Sequence, residues 1–282
     1  MHPRNNPPHM PRRPKYSGVL KADADRCQIF NSPFVVNRTE VVTSFQGLKA
    51  HLDRFKNMSN VLFRGQRKDR SEWPLLPKAY REEYRPSGKI EVPYLRDLNY
   101  LQEWSKEVAG YFSPLPDDYW MLLALAQHHG LPTRLMDWTS NPLVGAYFAV
   151  SSYEQVSTDL EDECTQDKEA VPNENRPMPA IYAYPYDGLL LTSDTDPFEV
   201  EVTYVVSSYK IDDKIVRQSG YFSIFGPMCG DQIKVEELLI DPKYAPSLLK
   251  ELKWFGIDEK TLFPNVTNVT KDLTEQLAGA FE

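Results

Sequence analysis

Val61-Leu62-Phe63-Arg64-Gly65-Gln66 is a short apolar run that stops abruptly on an arginine. Three large apolar side chains in succession read as a buried strand ending at Arg64. The run lies in a half of the chain whose other patterns are helical. A buried strand must pair its backbone N–H and C=O groups, and none of its near neighbours is a strand. The segment at 61–63 must therefore join strands that come later in the chain. That requirement predicts one α+β domain from about residue 40, with 61–63 central in a sheet assembled from distant residues.

Working outward, Thr43 and Gln46 have capping-box spacing, and Phe45, Leu48, Leu52 and Phe55 follow at helical intervals. Residues 73–93 are rich in proline and charge and read as an irregular connection. A long helix is expected over 94–112, with Leu95, Leu98, Leu101, Trp104 and Val108 on one side. Asp117 is placed to cap the next helix, which Leu122, Leu123, Leu125 and Ala126 fill and Gly130 ends at His129. Asn141 before Pro142 reads as an N-cap with proline at the first helical position, opening an apolar buried helix.

In the second half, Ile181–Tyr186, Val200–Val206, Tyr221–Phe225 and Ile233–Ile240 are β-branched and aromatic segments that read as strands. Asp241-Pro242 then opens a helix through Trp254 with Gly256 as its stop, and Asn265 begins a short last helix. No internal repeat is visible.

Composition bounds the function. The 282 residues are 41% hydrophobic and 26% charged, the proportions of a globular protein. A chain of this size buries roughly three quarters of its unfolded surface, so it needs no disulfide or metal staple. Lys plus Arg number 32 against 40 for Asp plus Glu, a net charge of −8. No global attraction to phosphate backbones or anionic membranes follows, so nucleic acid is disfavoured as a stable partner, although a local basic cleft survives the argument. The three cysteines, Cys27, Cys164 and Cys229, are widely spaced without a CxxC, so neither a disulfide framework nor a metal site is expected. No apolar run of bilayer length occurs, no signal-peptide pattern opens the chain, and a cytoplasmic location is expected. Residues 1–17 hold five prolines and four bases without an acid and read as a disordered tail. Residues 154–176 hold eight acids against two bases and read as an exposed insertion.

Three clusters set polar groups beside apolar segments: 62–66, 126–142 and 217–225. Arg64 sits at the edge of the core, where a guanidinium can hold a phosphate or carboxylate bidentately, and Gly65 would let backbone approach a ligand closely. The competing reading is an arginine paired with Asp137 or Asp69 for structural ends. In the second cluster, His128 and His129 point about 100° apart on a helix, against joint metal ligation, and one of them is expected to be buried. Arg134 with Asp137 is most simply a salt bridge. Gln127, Thr133, Thr139 and Ser140 form either a pocket wall or a network bracing two helices. No G-x-S-x-G elbow surrounds Ser140.

The run Phe63-Arg64-Gly65, then Trp73-Pro74-Leu75-Leu76-Pro77, then Gln127 through Pro142, with Ala146-Tyr147-Phe148-Ala149 behind it, resembles the FRG domain, named for its Phe-Arg-Gly motif. Gln218-Ser219-Gly220-Tyr221-Phe222 and Thr261-Leu262-Phe263-Pro264 resemble that family's closing motifs, extending the likeness over roughly 40–275. A weaker resemblance is to the ADP-ribosyltransferase fold, which implies a split, mainly antiparallel sheet with flanking helices and a cleft that takes NAD as substrate, without a metal.

That resemblance implies roles by position. Arg64 with Gly65 and Gln66 would hold the dinucleotide phosphate and ribose. Thr139, Ser140 or Tyr147 would support the arginine, His128 would line the site, and Tyr147 or Tyr221 would stack on nicotinamide. Arg64, Ser140 and Gln218 are the implied catalytic set, and Arg64, Gln66, Thr139, Ser140 and Gln218 are expected to line one cleft. Gln218 stands where the fold uses a glutamate, and a neutral amide can only orient a ribose hydroxyl. Glu236 and Glu237 could supply the missing carboxylate, but a strand alternates faces, so only one could point into a cleft, and an ordinary charged edge strand is the better reading. The implied reaction is transfer of ADP-ribose from NAD to an unidentified macromolecule, with nucleic acid admissible as acceptor. The implied setting is a toxin or phage-defence effector that an inhibitory partner protein could restrain. The alternatives are an NAD glycohydrolase and a non-catalytic module binding a nucleotide or a partner.

Overall fold

Seven strands form one sheet in the order β1-β7-β4-β2-β3-β6-β5, in a computed structural model that describes residues 32–81, 93–112, 114–151, 177–189, 195–200, 202–207, 220–226, 233–264 and 270. The strands are β1 Phe34–Val42, β2 Val61–Gln66, β3 Leu135–Thr139, β4 Ala180–Pro185, β5 Tyr204–Ser207, β6 Gly220–Ile224 and β7 Ile233–Ile240. The helices are α1 Phe45–Leu52, α2 Pro93–Val108, α3 Tyr119–His128, α4 Pro142–Val150, α5 Ala245–Trp254 and α6 Glu259–Leu262, with a 3-10 turn at Lys78–Tyr80. Every pairing is antiparallel except β1 with β7. The chain is thus α+β, and β2 lies at the centre of the sheet as its apolar sequence requires.

Several local expectations need correction. β2 runs through Arg64 to Gln66, because β4 pairs with it along its whole length. β1 begins at Phe34, upstream of the expected start near residue 40, and lies beside β7, which is therefore interior and not an edge strand. Ser44, not Thr43, caps α1, its hydroxyl accepting from Gly47 N–H. Asp118, not Asp117, caps α3, accepting from Trp120 and Met121 N–H. Residues 135–139, which no strand pattern in the sequence marked, are β3. Asn141 does cap α4, accepting from Leu143 N–H at 3.0 Å, and Gly130 and Gly256 do end their helices with φ of 91° and 76°. The tail at 1–17, the insertion at 154–176, Gln218 and the helix start at Asn265 lie outside the described residues.

The sheet is continuous, whereas a split sheet was expected, but it has a seam. β2 and β4 share six residue pairs, and β3 and β6 share five. β2 and β3 share only Phe63 with Thr139. Beyond that pair the two strands diverge, and the gap between them is where the site forms. Alternation then sorts the core. Val61 and Phe63 join the cluster beneath α1, α4 and α5. Leu135 and Phe222 join a cluster beneath α2 and α3 on the same face. Leu62, Met136, Trp138 and Tyr182 join a third on the opposite face, covered by Leu75, Leu76 and Tyr80.

α4 lies directly on β2. A Cβ at Gly65 would fall 2.0 Å from Gly145 O and 2.5 Å from Ala149 N, and one at Gly145 would fall 3.2 Å from Phe63 Cβ. Facing glycines thus let helix and strand backbones touch, so Gly65 serves helix packing. Gly65→Ala must displace α4 backbone and is expected to cost about 3 kcal/mol or more, a fall in Tm on the order of 10 °C. Circular dichroism melts of the purified variant measure this, and a variant melting with wild type would contradict the packing.

Candidate functional site

The diverging strands open a cleft of about 330 Å³ above the seam. Phe63, Gly65, Asp137 and Thr139 line its floor, α3 contributes Ala124, Gln127 and His128, and Phe148 and Phe263 close the α4 side. Gly220, Tyr221 and Phe222 of β6 complete it. The volume lies at the low end for small-molecule sites, and the wall has the usual makeup of aromatic surface with a few convergent polar groups.

Arg64 reaches this cleft through the seam. Its Cβ belongs to Leu62's face by alternation, and its guanidinium reaches across from β2 to β3. Nη1 donates to the main-chain carbonyl of Asp137 at 2.7 Å and Nε donates to Gln66 Oε1 at 3.3 Å. Arginine carries five N–H donors, and no described residue accepts from Nη2. Burial pulls the Arg64 pKa down to about 10, the nearby Asp137 charge opposing and Arg81 adding to the fall, which leaves it cationic at neutral pH. The ion pair with Asp137 or Asp69 does not form: Asp137 meets Arg64 through its backbone carbonyl, and Asp69 accepts instead from Ser71 and Met178 N–H.

Gln66 is 3% exposed and does not line the cleft, contrary to expectation. Two residues beyond Arg64, it shares that residue's face. It accepts from Arg64 Nε and donates to Trp73 O at 2.9 Å, so it orients the arginine from behind. Trp73 is in turn held by the guanidinium of Arg67 at 5.1 Å and that of Arg81 at 5.8 Å from its ring.

Asp137 faces the cleft because β3 is a strand. The expected Arg134–Asp137 pair does not form, because Arg134 precedes the strand and turns to α2 instead. Arg134 is fully buried and pairs with Asp97 of α2, Nε to Oδ2 at 2.8 Å and Nη2 to Oδ1 at 2.7 Å. Asp137 instead accepts from Gln127 Nε2 at 2.8 Å. Gln127 is itself oriented: the Thr133 hydroxyl accepts from Leu135 N–H at 3.2 Å, so its single proton goes to Gln127 Oε1, and the amide NH₂ must turn to Asp137.

Other expected residues divide. His128 and Tyr221 line the cleft, both half-buried, and the half-buried His128 and exposed His129 replace the expectation that one histidine is buried. Thr139 lines it, its hydroxyl accepting from Asn141 N–H at 3.0 Å in the turn into α4. Ser140 is exposed on that turn and outside the cleft wall. Tyr147 belongs to the core beneath α4, its phenol pushed up to about 12 by burial and by the carboxylates of Glu259 and Asp258. The helix twist puts Phe148 at the cleft in its place, in edge contact with Phe263 at 5.9 Å. Neither glutamate of β7 supplies a carboxylate. Glu236 pairs with Arg54 beside His51 and Glu40. Glu237 is 3% exposed and accepts from Tyr182 Oη at 3.1 Å and Thr39 Oγ1 at 3.0 Å.

With this geometry in view, the family match is informative. Residues 59–158 match the FRG domain. Its match spans β2, β3 and α4 together with α3, the elements that supply most of the cleft. The Phe-Arg-Gly triplet has three separate tasks here: Phe63 makes the seam's one residue pair, Arg64 reaches across from β2 to β3, and Gly65 admits α4. No curated protein and no solved structure matches the chain. Among the described residues, no helix is long and apolar enough to cross a membrane.

Proposed function

We propose that the FRG domain's cleft binds NAD and that the protein is an ADP-ribosyltransferase-like enzyme, breaking the nicotinamide glycosidic bond and passing ADP-ribose to a macromolecule. One observation carries the reading: a half-buried guanidinium, anchored on two sides and with Nη2 bonded to no described residue, belongs to a residue that lines a cleft walled by aromatic rings. A fixed cation in a partly desolvated site suits a phosphate, and rings such as Tyr221 and Phe148 suit a flat heteroaromatic base. The volume accommodates one end of a dinucleotide, with the remainder extending over the open rim. Hydrolysis is the same bond cleavage with water as acceptor. A toxin or defence role with an inhibitory partner belongs to the same proposal and draws on the resemblance alone.

The test is incubation with NAD, alone and with cell lysate, following free nicotinamide by chromatography and attached ADP-ribose by mass spectrometry. Calorimetric titration with NAD and with ADP-ribose measures binding separately. Nicotinamide release with labelled macromolecule supports transfer, and release without label supports hydrolysis. Binding without release supports the non-catalytic module. Absence of binding at millimolar NAD sinks the proposal.

A further inference from the structure

We infer that Asp137 is the carboxylate that faces the cationic part of the ligand and stabilises the charge that develops at the ribose, with Gln127 as its positioning residue. The inference rests on the NAD reading and adds to it a catalytic residue that reads, in the sequence, only as an ion-pair partner.

Asp137 is the one carboxylate among the described residues that line the cleft. Its Oδ1 is held by Gln127 Nε2 at 2.8 Å, and no described residue donates to Oδ2. Gln127 cannot turn away, because the Thr133 hydroxyl, itself fixed by Leu135 N–H, commits its amide oxygen. The carboxylate is thus preorganised by a chain of three hydrogen bonds that starts in buried backbone, the arrangement by which a site stabilises charge without reorganising. Arg64 sits close enough for the Asp137 charge to raise its pKa, yet its guanidinium bonds the Asp137 carbonyl and not the carboxylate. An opposite pair that does not neutralise itself offers the cleft a separate cation and anion. NAD has the complementary pattern, with an anionic pyrophosphate and a cationic nicotinamide ring.

In the reaction, the bond from ribose C1′ to the nicotinamide nitrogen breaks and its electron pair stays on that nitrogen, so nicotinamide leaves neutral. The positive charge passes to the C1′–O4′ unit, where the Asp137 carboxylate stabilises it. The acceptor's O–H or N–H then adds to C1′, and its proton goes to Asp137 and on to solvent. Nicotinamide, ADP-ribosylated acceptor and one proton are the products, and no other reactant is needed.

Asp137→Asn keeps the shape and the oxygen that accepts from Gln127, so the variant should fold and melt with wild type. It is expected to lose nicotinamide release by about 10² to 10⁴-fold while its affinity for ADP-ribose, which lacks the cationic ring, stays within a few-fold. Wild type should also bind NAD more tightly than NADH, whose ring is uncharged, and Asp137→Asn should erase that preference whether or not turnover occurs. Gln127→Ala should lower kcat more than it raises KM, since it loosens the carboxylate and not the substrate. If wild type binds and cleaves NAD while Asp137→Asn retains both the rate and the preference for NAD over NADH, the assignment of Asp137 is overturned and the NAD reading stands. If wild type binds neither NAD nor ADP-ribose, the NAD reading fails and takes the assignment with it.

Discussion

Arg64→Ala is expected to weaken NAD binding by about thirtyfold to several hundredfold and to remove turnover, from the roughly 2 to 4 kcal/mol that a partly desolvated charge pair loses when one partner is truncated. The same substitution also removes a structural contact. Nη1 holds the Asp137 carbonyl across the seam, where no ladder hydrogen bond replaces it. That contact contributes about 1 to 2 kcal/mol, so Tm should fall by a few degrees and no further. Arg64→Lys tests geometry apart from charge. An ammonium cannot hold the Asp137 carbonyl and Gln66 while also facing the cleft, so lysine should recover little affinity. Activity must be expressed per folded molecule, with thermal midpoint and nicotinamide release read on the same preparation. A variant melting far below wild type but with normal activity per folded molecule would make Arg64 a brace alone.

Arg134→Met is expected to be the most destabilising single change, costing about 3 to 5 kcal/mol and on the order of 10 °C in Tm. Arg134 and Asp97 have side-chain exposures of 0% and 2%. Arg134 also donates to Pro197 O at 3.1 Å and lies 4.6 Å over the Phe198 ring. Removing the guanidinium therefore strands a buried carboxylate and frees the entry to β3, whose next turns of chain carry Asp137 and Thr139 into the cleft. The double variant Asp97→Leu/Arg134→Met should melt above Arg134→Met, because a buried ion pair replaced on both sides by apolar groups leaves no uncompensated charge. Thermal melts of the three variants read the cycle. An Arg134→Met protein as stable as wild type, or a double variant less stable than the single, would refute the pairing.

Much of this protein is decided by short-range chemistry. The apolar run at 61–63 demanded distant strand partners, and β4 and β3 provide them. Asn141-Pro142, Gly130 and Gly256 mark helix ends because caps and left-handed glycines act within a few residues. That Arg64 lies at the edge of the core was legible from an arginine directly following an apolar run. What pairs with what was not. Leu135–Thr139 is five residues between Arg134 and Ser140, too short for its alternation to register, so Asp137 seemed a partner for Arg134, which lies before the strand and pairs with Asp97 of α2. Tyr147 and Phe148 differ by one step of helix twist, and only the position of α4 over β2 decides which meets the cleft. The cleft itself exists because β2 and β3 meet at a single pair and then part, with Gly65 and Gly145 drawing α4 down beside the gap. Caps, turns and apolar runs are interactions between neighbours in sequence, and the residues alone determine them. The seam and the separation of Arg64 from the Asp137 carboxylate are interactions between segments brought together by folding, and tertiary packing alone decides them.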